Sequence, residues 1–203
     1  ILSLAQMLNK GMLDAEQSKR GNEIIEQSAK AQSQLIDDLL DVARIQAGKL
    51  NLAIQKTDPA KIIAAAIDAT QRLAASKSIQ IEQKIDPAIK QVFADPTRLQ
   101  QILWNLITNS IKFSPEGGKI LITLDRLDTA KGEFIRFQVR DNGKGIKPEF
   151  ISALFERFRQ FDSTSTRAYG GLGLGLAIVR KLVEMHEGTV VAESPGEGKG
   201  STF

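Results

Sequence analysis

The 203-residue chain has no cysteine, one histidine, one tryptophan and one tyrosine. Without thiols there is no disulfide, no thiolate metal site and no cysteine nucleophile. A single histidine cannot build a multi-histidine metal cluster or a zinc finger. Charge of one sign is scarce as well: 27 Lys+Arg against 24 Asp+Glu leave a formal net charge of +3. That is a small excess and not the basic stripe of a nucleic-acid binder, so no nucleic-acid partner is expected. Long apolar runs are missing too. The stretch over roughly 169–179, the longest free of charged or polar side chains, contains four glycines and falls far short of the about 20 apolar residues that span a bilayer. No targeting signal is visible. These absences lead us to expect a cytoplasmic piece of a longer protein, one that could carry a membrane anchor elsewhere, with no membrane contact of its own.

What is present divides the chain at about residue 48. Ile1, Leu4, Ala5, Leu8 and Met12 recur at helical spacing, and Gly11 and Asp14 mark a stop and a restart. From 15 to 47 there is no proline and only one glycine, Gly21, with an apolar stripe through Ile24, Ile25, Leu35, Ile36, Leu39, Leu40, Val42 and Ala43. Gly48 then ends the helix. Two antiparallel helices sharing one stripe cannot bury it alone, so self-association into a bundle is expected. Beyond Gly48 strands and helices alternate. Strands are expected at 50–55, 79–85, 92–93, 120–127, 134–140, 189–193 and from 201. Asp58-Pro59 and Asp95-Pro96 each read as an N-cap followed by proline at the first helical position, opening helices to about 75 and 113, and a further helix spans 174–186. The fold class is therefore α+β: a helical hairpin over 1–48, then a two-layer α/β sandwich over 49–203.

Three groups of residues in the second part suit chemistry. A stretch of some 30 residues, 142–173, has one short helix after Pro148; a loop that long inside a compact domain is usually functional. It opens on Asp141-Asn142-Gly143-Lys144-Gly145 and closes on Gly170-Gly171-Leu172-Gly173-Leu174-Gly175-Leu176, which suggests a lid over a ligand. The closing motif lies where a helix begins, and bare amides with glycines that allow close approach suit phosphate. A carboxylate such as Asp141 at a strand end can accept the exocyclic amine of adenine. In the helix 95–113, Asn105, Asn109 and Lys112 share a face at spacings of four and three. Asn offers a neutral oxygen suited to Mg²⁺ that already carries phosphates, and Lys112 can neutralise a phosphate oxygen.

In chain order the three groups resemble the N, G1 and G2 boxes of the Bergerat ATP-binding fold. Phe155-Glu156-Arg157-Phe158 resembles the F box of sensor histidine kinases. Asp37-Asp38-Leu39-Leu40-Asp41-Val42-Ala43-Arg44-Ile45, running to Gly48-Lys49-Leu50, resembles the second helix of their dimerisation and phosphotransfer domain. The resemblance implies ATP and Mg²⁺ as cofactors, with Asn109 as the Mg²⁺ ligand, Asn105 its neighbour, and Lys112 and Phe113 close to the nucleotide. It implies Asp141 as the adenine reader, helped through water by Thr202, with Gly143, Gly145 and Ile146 shaping the pocket. Gly171, Leu172, Gly173, Leu174, Gly175 and Leu176 would line the phosphate end, Phe155 and Phe158 would be lid aromatics, and Arg167 is one of three arginines, with Arg157 and Arg159, that could approach the γ-phosphate.

The resemblance also implies a homodimer formed by the N-terminal helices as half of a four-helix bundle, and a response-regulator receiver domain as partner. The acceptor box of such kinases is missing, and the only histidine, His186, stands at a helix end where it complements the dipole. The implied reaction is γ-phosphoryl transfer from Mg-ATP to a His upstream of Ile1, then to a response-regulator Asp, so this chain would bind ATP without phosphorylating itself. Two other readings compete: a hydrolytic ATPase of the same superfamily, and a non-catalytic dimer module switched by nucleotide. The hydrolytic branches place a Glu one turn before the Mg²⁺ Asn to activate water; Asn105 holds that place.

Overall fold

The computed structural model describes residues 2–129, 132–159 and 172–203. Helix α1 (Leu2–Asn9) turns through Gly11, at φ 63°, into α2 (Ala15–Gln46). Asp14 starts α2 with a reciprocal capping box: its carboxylate accepts the Gln17 amide and the Gln17 side chain accepts the Asp14 amide. Gly21 lies where Leu4 and Leu8 of α1 pack on α2; a Cβ there would stand in ordinary van der Waals contact with the two leucines, 3.4–3.6 Å away. Gly48, at φ 63°, follows the C-cap Ala47 in the left-handed conformation that glycine tolerates.

The rest is a mixed four-stranded sheet with helices on one face, joined by a two-stranded ribbon. Strand β1 (Gln55–Thr57) pairs antiparallel with β3 (Val92–Ala94). Strands β2 (Gln80–Ile85), β4 (Lys119–Thr129), β5 (Gly132–Asp141) and β6 (Ser201–Thr202) form the sheet in the order β2-β4-β5-β6; only β2 and β4 run parallel. Helices α3 (Pro59–Ala75), α4 (Pro96–Phe113) and α6 (Gly175–Met185) cover it, and a single turn, α5 (Pro148–Ile151), follows β5. Along β4 the inward residues Ile120, Ile122 and Leu124 are buried, the period-two signature of a sheet with one covered face. They meet Ile63 of α3, Leu103, Ile107 and Ile111 of α4, and Ile178, Val179 and Leu182 of α6 in one core.

Both Asp-Pro openings cap their helices as expected, Asp58 for α3 and Asp95 for α4. Two expected strands are corrected. Residues 51–54 form no strand because the Ala53 amide donates to the Asp95 carboxylate (2.9 Å) instead of to a neighbouring strand; pairing begins only at Gln55. Over 189–193 the chain makes one isolated bridge, Glu193 to Thr202, since β6 offers only two residues.

Helix α2 presents two faces. Asp38, Asp41 and Val42 are buried and Ile45 half-buried, whereas Ile36, Leu39 and Leu40 are exposed. The junction with the sandwich is polar. Asp41 Oδ2 accepts from Arg98 Nη1 (2.7 Å) and Gln101 Nε2 (2.8 Å), and Arg98 also donates to Gln101 Oε1 (2.7 Å).

Candidate nucleotide site

Helix α4 is buried almost all round, and that burial draws the expected site residues together. Asn105 is buried against the start of α6: its Oδ1 lies 2.9 Å from where a Cβ on Gly175 would stand, so any side chain there would displace the Asn105 amide. The Asn105 Nδ2 is buried with no hydrogen-bond partner. An unsatisfied buried donor of this kind costs about 1–3 kcal/mol, and it stands beside the N-terminus of α6, whose own first amides lack intrahelical partners. Asn109 is half-buried one turn further along the same face.

About 7.5 Å up the helix axis from Asn105, at 1.5 Å per residue, Ser110 meets the end of β5. Asp141 is 5% exposed and its carboxylate is the hub of this corner. Oδ2 accepts from Ser201 Oγ (2.6 Å) and Ser110 Oγ (3.4 Å); Oδ1 accepts from the amides of Gly143 (2.8 Å) and Ser201 (3.2 Å). The hydroxyl that β6 contributes to Asp141 thus belongs to Ser201. Thr202, the expected helper, alternates to the other side of the strand, where its backbone pairs with Glu193 and it stands opposite Arg140. Period-two alternation from the Ser201↔Asp141 register would have identified Ser201.

The glycines of the 141–146 loop are demanded by backbone contact. A Cβ on Gly143 would stand 2.5 Å from the Phe113 carbonyl oxygen, and one on Gly145, at φ 67°, would stand 2.1 Å from the Gly196 carbonyl oxygen. Ser194, another residue the sequence reading did not single out, accepts the Ile146 amide (2.9 Å) and donates to the Gly200 carbonyl (2.7 Å). So the turn 194–200 buttresses the loop that shapes the pocket. Phe113 is half-buried, with the Lys112 ammonium 5.1 Å and the Lys144 ammonium 4.5 Å from its ring centre.

At the other end, Gly173 (φ 69°) would drive a Cβ to 2.6 Å from the Arg159 carbonyl oxygen, and its own carbonyl accepts the Phe158 amide (3.1 Å). The F-box-like turn is therefore stitched to the glycine-rich stretch. Phe158 holds φ 62°, uncommon for a bulky residue, with its side chain exposed. Phe155 points elsewhere: with Ile45 and Gln46 of α2 and Ala177 of α6 it lines a groove of about 380 Å³. Leu174 is buried in the core and Leu176 packs on it, so neither side chain lines the ligand end, while Leu172 is exposed. Arg167 and Gly171 lie outside the described residues.

His186 is committed to the fold. Its Nε2 accepts the Asp95 amide (3.1 Å) and its Nδ1 lies 2.8 Å from the Leu182 carbonyl oxygen, which requires the proton on Nδ1. Burial alone would push the Asp95 carboxyl up. Hydrogen bonds from the Ala53, Arg98 and Thr97 amides, with the Arg98 charge, carry it below the ordinary aspartate value instead.

A mixed sheet covered on one face, a buried carboxylate at a strand end and a glycine-lined helix start facing an unpaired Asn amide define an α+β sandwich of the Bergerat type. The family described as "Histidine kinase-, DNA gyrase B-, and HSP90-like ATPase" matches residues 94–203, more than half of the chain, and the chain belongs to it. Hybrid signal transduction histidine kinase D of Dictyostelium discoideum is 37% identical over 212 residues, taking in 91% of this chain and 14% of that protein. Autoinducer 2 sensor kinase/phosphatase LuxQ of Vibrio harveyi is 34% identical over 206 residues, 100% of this chain and 24% of that one. The chain thus spans a quarter or less of these two curated relatives. The crystal structure of full-length ShkA in complex with AMPPNP superposes with a TM-score of 0.76 at 29% identity, covering 99% of this chain and 44% of that one.

Proposed function

We propose that the chain is the ATP-binding kinase core of a sensor histidine kinase. The observation that carries this is a pair of features brought together along α4: the buried Asp141 carboxylate of β5, bonded by Ser110 in the last turn of the helix, and the orphaned Asn105 Nδ2 at mid-helix, on a side chain that lies against the start of α6. Asp141 holds its position through four donors and is the acceptor for an exocyclic amine. The α6 amides and Lys112 bind the anionic end. Asn109 supplies a neutral oxygen, the donor type that suits Mg²⁺ shared with phosphates. Bound Mg²⁺ would neutralise charge on the phosphates and polarise the bond to the transferred group. The residues on α4 orient that group, the main protein contribution to phosphoryl transfer.

The acceptor is a histidine upstream of residue 1, because His186 is held by Asp95 and Leu182; a receiver-domain aspartate then takes the phosphoryl group. The exposed Ile36, Leu39 and Leu40 on α2, with Leu2, Met7 and Met12 before them, support a homodimer through the N-terminal helices. Among the described residues no helix is long and apolar enough to cross a membrane. Asn105 cannot serve as a general base, which disfavours the hydrolytic branch of the family.

The test uses labelled Mg-ATP. This chain should bind it, with Asn109→Ala weakening only the Mg²⁺-dependent part, and should take up no acid-labile phosphate, whereas a version extended upstream should. Label on His186, or binding by Asn109→Ala that keeps its full Mg²⁺ dependence, contradicts the reading.

A further inference from the structure

The C-terminal end of α4 carries Ser110, Lys112 and Phe113, three residues of the nucleotide corner, yet a helix end leaves its last four carbonyls without intrahelical partners. Here all four are accounted for. Ser110 O accepts the Ser114 amide (3.0 Å) and Phe113 O accepts the Lys144 amide (3.1 Å). The remaining two, Ile111 O and Lys112 O, both accept from the ammonium of Lys77 (2.9 Å each), which also donates to Ser114 O (3.0 Å). Lys77 comes from the turn between α3 and β2, 34 to 37 residues away in sequence. Its backbone carbonyl accepts the Gly117 amide (2.8 Å), so the same residue also fixes the turn that leads into β4. A cation at a helix C-terminus also complements the dipole. The helix end that Lys77 closes is the one against which Gly143 packs, and Ser110 in its last turn donates to Asp141.

We propose that Lys77 is a positioning residue for the nucleotide site: its three hydrogen bonds hold the end of α4, and through Phe113 O and Ser110 they hold the loop of Asp141 and Gly143 in the geometry that reads the base. The inference rests on the ATP-binding reading for its functional consequence, but its mechanical part stands alone. A compact ammonium with three divergent N–H groups matches three carbonyls converging on one point, a geometry that the planar fork of arginine does not reproduce. Burial lowers the pKa of this ammonium from its ordinary value, the desolvation that accompanies a head group turned inward.

The absence of cysteine elsewhere in the chain makes a clean test possible. Lys77→Met removes the donors and keeps the length. Lys77→Cys, alkylated with 2-bromoethylamine while unfolded and then refolded, restores an ammonium on a stem of equal length with sulfur in place of Cγ. Two readouts are taken on each. In the nucleotide-free protein, Lys77→Met should speed hydrogen exchange at the Lys144 amide, which bonds Phe113 O, while core strand amides of β4 keep their protection. In titrations, Lys77→Met should bind ATP about tenfold more weakly, with a reduced preference for ATP over GTP, the cost of a loosened supporting contact. The aminoethylated protein should recover both. Wild-type Lys144 protection in Lys77→Met, or a loss of binding and protection that the restored ammonium does not repair, overturns the proposal. If the unmodified chain binds no ATP, the functional reading fails, and the exchange comparison still decides whether Lys77 positions the corner.

Discussion

The sandwich and the helical hairpin are built from similar proportions of apolar residues but dispose of them differently. In the sandwich Ile63, Leu103, Ile107, Ile122 and Leu182 have essentially no exposed surface, and their helices and strands close on one another. In the hairpin α1 buries no residue fully, and α2 leaves Ile24, Ile36, Leu39 and Leu40 in solvent while burying two aspartates, Asp38 and Asp41. A helix that buries two aspartates and exposes two leucines has one face matched to the body of its own chain and another left to solvent. The sandwich closes its own core, while the hairpin leaves much of its apolar stripe exposed.

The largest effect expected from this contrast is in the cores. Ile107→Ala, at a fully buried position, should cost about 2–5 kcal/mol through lost burial and the cavity left behind. Ile36→Ala, at an exposed position on α2, should stay within about 0.5 kcal/mol in the unfolding of the sandwich, and should instead weaken self-association. Urea denaturation and sedimentation on both variants check this; equal destabilisation would erase the distinction.

The seam between the regions comes next. Asp41→Ala leaves Arg98 and Gln101 without their shared acceptor, and breaking a pair this buried costs about 3 kcal/mol. The Asp41→Ala/Arg98→Ala double variant should lose less than the sum of the singles, since Arg98 is then no longer stranded. Strict additivity in a double-mutant cycle would show that the seam carries no coupling.

The smallest effect separates the regions by the sign of their pH dependence. Asp95, in the sandwich, titrates below its ordinary value of about 3.9. Its contribution is complete above that value and is lost as pH falls through the lower folded one. Asp38, in the hairpin, is raised chiefly by burial, opposed by the Gln34 hydrogen bond and reinforced by the charges of Asp41 and Asp37. Its ionised form therefore penalises folding at neutral pH, and the penalty fades as pH falls through the folded value. Asp95→Asn should cost about 1–2 kcal/mol at pH 7 through weakened charge-assisted bonds, with the cost shrinking in acid. Asp38→Asn should raise the melting temperature at pH 7, with the gain shrinking in acid. Melting curves at pH 7 and pH 3.5 on both variants read the two signs directly.

Local signals made much of the fold legible in the sequence. The two Asp-Pro caps, the helical stripe of α4 and the alternation of β4 each depend on residues within a few positions of one another, and each stands where the sequence reading expects it. Failures arose where a distant partner intervened. The Ala53 amide is taken by Asp95, 42 residues on, so 51–54 never becomes a strand. At the site, the glycine motifs and Asp141 are local features and could be read. Ser201 in place of Thr202 follows from a strand register that no short pattern encodes, and the capping of α4 by Lys77 follows from packing between α3 and α4. His186, read as a dipole partner of its own helix, is in fact bonded to Asp95, the N-cap of α4, as well, 91 residues away.

The most direct measurement of the central claim is a calorimetric titration of this chain and of Asp141→Asn with Mg-ATP and with Mg-GTP. The account predicts that the unmodified chain prefers ATP, because the Asp141 carboxylate accepts from an amine that guanine lacks at that position, and that Asp141→Asn, which swaps one acceptor for a donor, loses most of that preference, by about tenfold or more. Equal affinity for both nucleotides in the unmodified chain, or a preference that survives Asp141→Asn intact, would contradict it.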